Sequence, residues 1–419
     1  MSERAGQRAK RSFFTYQDGV AVIMGLTFGT VLFDRGAIGF LSPFIVADLR
    51  LTNSQLGLAA AVISLTWALA GFLVGRASDA AGRRKPYLIA AVIAFSLCSA
   101  VSGLVGSFAM LVAVRLAMGL AEGPVPPLAA TLLLGASDDH RRGLNMGIYA
   151  IFTGLVGGVL APIVLVGLAG HFGWRTTFLL AGVPGLVLAT AIALWVREVR
   201  PVTTAAAPQR PSRPLEILRV RNVALCAVIA SLLLGCMAIT MIFLPLYLVQ
   251  DRRLSPLDMG LVMTALGAAT LAASLILPTL SDRLGRKSVL VGFAGLGAIL
   301  PLGCLYWTGG AMGLAAICAF AALPGTLPHV AIGIVPGESV HARDRGAALG
   351  LVMGCAELAG GFVTPSLVGL LADRAGLIMA LEIGGGFAVA AALLSLGLQE
   401  TAPRFTTRRA SLQVALETS

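Results

Sequence analysis

The sequence has 419 residues, 57% of them hydrophobic and only 12% charged, with a mean hydropathy of +0.88. These values exclude a soluble globular profile and point to a chain that crosses a membrane many times. The formal net charge is +11. The basic residues sit at the ends of apolar segments, which is a topology signal and argues against nucleic acid as a partner.

The first residues carry Arg4, Arg8, Lys10 and Arg11. The apolar stretch behind them is too long for a signal-peptide core and shows no small-residue cleavage site, so it reads as a retained first span. Apolar stretches of about 20 residues or more are enough to cross the hydrocarbon. They fall near 18–46, 54–75, 87–106, 108–134, 144–169, 176–196, 222–249, 257–280, 288–307, 311–336, 346–371 and 375–398. Gly and Pro punctuate them freely, which membrane helices tolerate. The expectation is an all-α membrane protein of twelve transmembrane helices embedded in the lipid bilayer.

With the N-terminus inside, the inner segments hold 24 of the 31 Lys and Arg residues and the outer ones five, Arg50, Arg175, Arg252, Arg253 and Arg374. That bias places both termini in the cytoplasm, in a cell (inner) membrane. The expected parts are a tail (1–17), a first bundle of six spans (18–196), a linker (197–221), a second bundle (222–398) and a tail (399–419). The linker is basic and Pro-rich and reads as a tether, with a short interfacial helix near 215–220. Cys98, Cys226, Cys236, Cys304, Cys318 and Cys355 all lie in apolar segments without CxxC spacing or a His cluster. Packing is their expected role, with no metal and no disulfide.

An internal repeat organises the chain. Ser78, Asp79, Gly82 and Arg83 match Ser281, Asp282, Gly285 and Arg286 at an offset of 203. Arg142, Gly143, Gly147, Gly157, Gly158 and Pro162 match Arg345, Gly346, Gly350, Gly360, Gly361 and Pro365 at the same offset of 203. Two parallel six-span halves related by an axis along the membrane normal are a transporter architecture.

Against this repeat stand charges inside the spans. Asp34 and Arg35 are the only charged residues between Val20 and Ala47. Ionised groups at membrane depth cost at least a few kcal/mol each, so they pair, face a cavity or carry function. Their repeat equivalents are Met237 and Ala238. The fourth span adds Arg115 and Glu122, seven apart and therefore on one helix stripe. The equivalent of Glu122 is Gly325. The second half contributes Glu357, opposite Gly154 in the repeat, and His329, opposite Pro126. Glu382 is of open orientation.

The stretch from Gly75 to Lys85, with Asp79, Gly82, Arg83 and Arg84, resembles the loop between the second and third spans of the major facilitator superfamily. The weaker copy with Asp282, Gly285 and Arg286 sits where that superfamily repeats it. The resemblance covers the whole chain and implies two pseudo-symmetric six-helix bundles working by alternating access. It also implies that these loops latch the halves together in the outward-open state. A finer resemblance is to the anion:cation symporter family, through Asp34-Arg35, the Arg115…Gly119…Glu122 pattern and Gly173-Trp174-Arg175. Spinster-type lipid transporters share the Asp-Arg pair and the Glu of the fourth span.

Arg stays protonated, and its planar fork suits a carboxylate or phosphate. A fixed cation in the spans therefore suggests a small anionic substrate. Acids with little water around them hold a proton more readily, so Asp34 and Glu122 can exchange protons near neutral pH. The resemblance implies the same division, Arg35 for substrate and the two acids for protons. Asp34 and Arg35 diverge by about 100° around the helix and cannot serve one partner from one direction. The expected internal partner of Arg35 is Asp34 or Glu122, and Arg115 is expected to pair with an acid such as Glu122 or to tune its titration. Glu357 departs from the family pattern and reads as a second proton site or a contact for a cationic substrate group. Tyr149, Tyr247 and His329 are further candidates for the substrate cavity, with Trp67, Asn145 and Phe243 behind them.

The expected function is uptake of a small organic anion, a carboxylate or sugar acid, driven by the proton gradient with no other cofactor. The alternative is proton-linked efflux or flipping of an amphipathic molecule. A monomer is expected. No HExxH, GxSxG or Walker loop is present, so an enzyme is not expected.

Overall fold

The computed structural model of the protein describes residues 15–198 and 214–405. Most of the N-tail, most of the linker and the end of the C-tail lie outside the described residues. Every regular element among the described residues is helical. In the first half, α1 (Tyr16–Phe40) breaks briefly before α2 (Ser42–Leu49), and α3 (Asn53–Ala81) and α4 (Lys85–Ser102) follow. α5 (Phe108–Glu122) and α6 (Val125–Ala136) form one span interrupted at Gly123-Pro124. α7 (Arg142–Gly154) widens into a π-helical segment, Leu155–Leu160, and continues as α8 (Ala161–Trp195).

The second half opens with the short α9 (Pro214–Leu218), then α10 (Arg221–Gln250), α11 (Pro256–Leu284), α12 (Arg286–Gly297), α13 (Ile299–Tyr306) and α14 (Ala311–Ala321). The short α15 (Leu327–His329) and α16 (Val335–Glu338) flank a second π segment, Val330–Ile334. α17 (Arg345–Cys355), a third π segment (Ala356–Val363) and α18 (Thr364–Ser395) complete the chain.

Nine helical stretches among the described residues are long and apolar enough to cross a membrane. Two of them run 57 and 54 residues. At about 1.5 Å per residue each exceeds two crossings of a hydrocarbon core roughly 30 Å thick. Each turns once, at Gly173 (φ 78°) and at Gly376 (φ 84°). Counting both passes of these two stretches, and adding the segment 311–338, gives twelve crossings.

The repeat seen in the sequence is also written in the backbone. The described residues with positive φ are Arg50, Gly82, Gly173, Arg253, Gly285 and Gly376. They form three pairs at the offset of 203. Helix starts pair in the same way. Thr52 and Ser255 cap α3 and α11, each accepting from the N–H three residues on, at Gln55 and Asp258. Such caps satisfy backbone donors that a helix start leaves free.

Three apolar cores show how the halves meet. One holds residues of both halves, among them Ile38, Leu56, Leu165, Ile242, Met263 and Val368. The other two belong to single halves. The shared core lies at the end away from the loops at 82–85 and 285–287, here called the far end; the loops mark the basic end. Backbones nearly touch there. A Cβ on Gly267 of α11 would stand 1.9 Å from the carbonyl oxygen of Gly158. A Cβ on Gly57 of α3 would stand 2.4 Å from the carbonyl oxygen of Pro365. Asp373 accepts from the backbone N–H groups of Asn53 at 2.6 Å and Ser54 at 3.1 Å, capping α3 from across the seam. At the basic end the positions of Gly75, Gly147, Gly346 and Gly350 have no neighbour within 4 Å. The halves are closed at the far end and parted at the basic end.

The loops at the basic end are held within their own halves. Glu198, just past α8, accepts from the N–H groups of Arg84 and Lys85. Glu400, just past α18, accepts from those of Arg286 and Lys287. Asp79 pairs with Arg84 at 2.7 Å, and Arg286 pairs with Asp282 and with Glu338. Arg286 therefore stays charged and doubly paired, its carboxylate partners opposing the effect of burial.

Replacing Gly267 by Leu is expected to wedge the far end apart. Overpacking costs about 1–3 kcal/mol. The expected readouts are a lower melting temperature and faster labelling of cysteines placed on α2 and α18 at the far end.

Candidate functional site

Arg35 and Asp34 leave α1 in different directions, as consecutive helical residues must. Arg35 points across the seam to the second half. Its Nη2 donates to Ser64 Oγ at 2.9 Å and faces Glu357 Oε2 at 3.3 Å. The guanidinium carbon lies 4.6 Å from the centre of the Trp67 ring, a cation–π contact. Arg35 is thus held by α1, α3 and the π segment after α17, at the middle of the membrane-spanning body. Its side chain remains 25% exposed while that of Glu357 is 6% exposed. Only Nη2 of the fork has a protein partner among the described residues, so further donors stay available for a planar acceptor.

Local sequence explains this geometry. Gly123 sits against the carbonyl of Trp67, where a Cβ would come within 2.2 Å. That contact lets the span of α5 and α6 lie flush on α3 and fixes the turn carrying Trp67. Ser64 and Trp67 are three apart and so share one face. Glu357 stands at the start of a π segment, and such segments recur at functional sites.

Asp34 points the other way, into the first bundle. It is 1% exposed, and Ser99 of α4 donates to its Oδ1 at 2.6 Å. Arg115 and Glu122 are equally buried, at 1% and 0%. The three charges act on one another electrostatically. Yet none forms an ion pair among the described residues. Asp34 Oδ2, Arg115 Nε and Nη2, and both carboxyl oxygens of Glu122 are buried without a hydrogen-bond partner. Buried polar atoms are normally satisfied, so such a cluster is not a finished structural lock.

Two expectations are corrected here. The internal partner of Arg35 is neither Asp34 nor Glu122 but Glu357 of the other half. Asp34 is turned toward Ser99, and both carboxyl oxygens of Glu122 are without a hydrogen-bond partner. Arg115 does not pair with Glu122 either. Seven residues along α5 separate their Cα atoms by roughly 10 Å, and Arg115 instead turns Nη1 toward the sulfur of Met118.

The remaining candidates are not gathered at Arg35. Tyr149 is 8% exposed and stacks on Phe28 of α1, ring centres 6.0 Å apart. Tyr247 is 4% exposed within the shared far-end core. Phe243 is in the same core, and Asn145 of α7 donates to Ser137 Oγ, in the loop before that helix, and to Gln17 Oε1 of α1. His329 and Glu382 are exposed and hydrogen-bonded or ion-paired to none of the site residues. Among the described residues, the hydrogen bonds and ion pairs of the loops with Gly75, Asp79, Gly82, Arg83, Arg84, Asp282, Gly285 and Arg286 stay within their own halves. Sequence reasoning missed Ser64 and Ser99. A signal for Ser99 was present: Ser96, Ser99 and Ser102 recur every three residues along one face of α4. No three or more His, Cys, Asp or Glu residues are grouped for a metal among the described residues.

The site lies between two halves, at the depth where alternating-access proteins of this architecture bind substrate. Comparison with known proteins agrees. The family model described as Major Facilitator Superfamily matches residues 24–332 and 240–416. The chain is 27% identical over 403 residues to the hexuronate transporter of Bacillus subtilis (strain 168), covering 90% of this chain and 94% of that one. It is 28% identical over 172 residues to the multidrug resistance protein MdtL of Salmonella dublin, covering 41% of this chain and 43% of that one. Its fold matches the crystal structure of a bacterial homolog of the human lysosomal transporter Spinster, in an inward-facing and unoccupied conformation. The TM-score is 0.70 at 19% identity, with 93% of this chain and 96% of that one covered. The twelve crossings, the duplicated loops and the family match agree: the chain belongs to the major facilitator superfamily, a multi-pass membrane transporter and not an enzyme.

Proposed function

We propose that the protein is a proton-coupled symporter that takes up a small organic anion, a carboxylate or sugar acid, by alternating access. The observation that carries this reading is the guanidinium of Arg35, held at the seam on Trp67 with donors still free. A cation that cannot deprotonate recognises an anion. Asp34 and Glu122 supply the coupling, since buried carboxyl oxygens without partners accept protons readily. Arg115 holds their charge balance. The similarity to a hexuronate transporter over most of the chain favours the same substrate class.

In this reading the basic end is cytoplasmic, with both termini inside a cell (inner) membrane. The structure then corresponds to an inward-open state of a monomer. Arg83, Arg84 and Arg286 become the latch when the basic end closes, and Asp79 and Asp282 exchange their present partners for the opposite half. The driving force is the proton gradient, without a bound cofactor.

A second reading, efflux or flipping of an amphipathic molecule, draws on the similarity to MdtL and on Leu69, Phe72 and Leu73, which are exposed on α3 between Trp67 and the basic end. Counterflow separates the two. Carboxylate uptake by proteoliposomes that collapses with the proton gradient supports the first. Purified protein that moves no carboxylate under any gradient sinks it.

Arg35→Ala is expected to abolish transport while the melting temperature of the purified protein stays near that of the wild type. Transport surviving in that variant would leave Arg35 a structural residue. Glu122→Gln is expected to exchange substrate across the membrane at equal concentrations yet fail to accumulate it against a gradient, measured with radiolabelled anion.

A further inference from the structure

A planar anion that grips the Arg35 fork through both terminal nitrogens needs Nη2 as well as the free donors, and Glu357 stands on Nη2. Its Oε2 lies 3.3 Å from Arg35 Nη2, and the side chain is 6% exposed. The pocket around it is tight. A Cβ on Gly361, one turn further, would stand 2.8 Å from Glu357 Oε2 and 2.7 Å from Ser64 Oγ. An anion that takes the fork therefore evicts a carboxylate with little water to turn to. Leaving that carboxylate ionised and unpaired is the costly outcome, and neutralising it avoids the cost.

The charge balance points the same way. The charged residues at the centre of the spans are Asp34, Arg35, Arg115, Glu122 and Glu357, three acids against two bases. The interior already has one acid too many. Adding a substrate anion doubles the excess unless each anion arrives with protons.

We propose that Glu357 is a substrate-linked proton site. It takes up one proton each time an organic anion replaces it on Arg35 and gives it back when the anion leaves. The inference rests on the anion-symport reading and adds an acceptor in the second half to those of the first. The step is a proton transfer alone. A proton from the water at the open end forms an O–H bond on the carboxyl of Glu357. The ion pair to Arg35 breaks, and the guanidinium N–H groups donate to the substrate carboxylate instead.

The surroundings leave Glu357 responsive to this exchange. Arg35 is the one ion-pair partner of Glu357 among the described residues. From α3 the segment meets Ser64, and from α10 it meets Ser231, Leu234 and Gly235, next to the thiol of Cys236. The thiol of Cys355 lies two positions before it. Along its own helix the nearest charges are Arg345, roughly 18 Å toward the basic end, and Asp373, roughly 24 Å toward the far end, at about 1.5 Å per residue. The repeat position, Gly154, carries no counterpart and packs against Leu271.

The test is binding of D-glucuronate to the purified full-length protein, by calorimetry in buffers of different ionisation enthalpy, which counts protons. Each linked proton weakens binding by about tenfold per pH unit above its titration. The wild type is expected to show this dependence. Glu357→Gln and Glu357→Ala are each expected to take up about one proton fewer per anion and to bind more tightly than the wild type, by a margin that grows as the pH rises. Glu357→Asp, which keeps the carboxyl, should restore the count. Wild-type affinity that ignores pH overturns the inference, and so does an undiminished proton count in either acid-free variant. Both outcomes leave anion recognition by Arg35 intact. No binding of D-glucuronate, galactonate or other organic acids by the wild type overturns the anion reading and this inference with it.

Discussion

A guanidinium inside a membrane protein must always have something to face, because it cannot shed its charge. Arg35 meets that demand with three groups at once: a ring face, a hydroxyl and a carboxylate. Two of them come from its own half and one from the other. The pair is therefore a tie across the seam as well as a solvation shell. Any change that parts the halves at this depth has to give the guanidinium another partner in place of the carboxylate.

The frame around this interaction is duplicated and the chemistry is not. Positive-φ residues, helix caps and glycine-bend positions recur at the offset of 203. The carboxylates that cap the loops at the basic end, Glu198 and Glu400, recur with a slip of one residue. Against this symmetry, the acids and bases of the interior fall at unmatched places: Asp34, Arg35, Arg115 and Glu122 in one half, Glu357 in the other. One half holds a cluster of charges whose atoms lack partners. The other supplies a single acid aimed at the first half's cation. The frame is shared by the two halves, and the interior charges are what set them apart.

Much of this was legible in the sequence. The twelve crossings follow from apolar length, and the halves follow from the constant offset. The central charges were conspicuous because ionised groups are rare in such segments. What the sequence could not supply was direction. Asp34 and Arg35 are adjacent letters, yet one faces a serine of α4 and the other faces the opposite bundle, and only tertiary packing assigns those faces. The partner of Arg35 lies 322 positions away in the chain. Helical periodicity also runs out where the helix itself changes. The π segments after α7 and α17 alter the phase of every residue beyond them, so face assignments made at 3.6 residues per turn drift there. Arg50 and Arg253 hold left-handed backbone that is normally expected of Gly or Asn, and nothing in their identity announces it. Tyr149 stacks on Phe28 and Tyr247 sits in the shared core, so neither ring stands at Arg35, and their spacing in the chain does not reveal that.

The closure of the far end has a quality of its own. Where Gly267 meets Gly158 and Gly57 meets Pro365, main chain lies on main chain, beside a core to which both halves give bulky side chains such as Ile38, Ile242 and Phe243. The apolar core supplies grip at that end, and polar fastenings add to it, above all Asp373 on the start of α3, which is exposed. Contacts of that kind weaken as ions accumulate around them. The closure of the far end is thereby left open to adjustment by the salt of the compartment it faces.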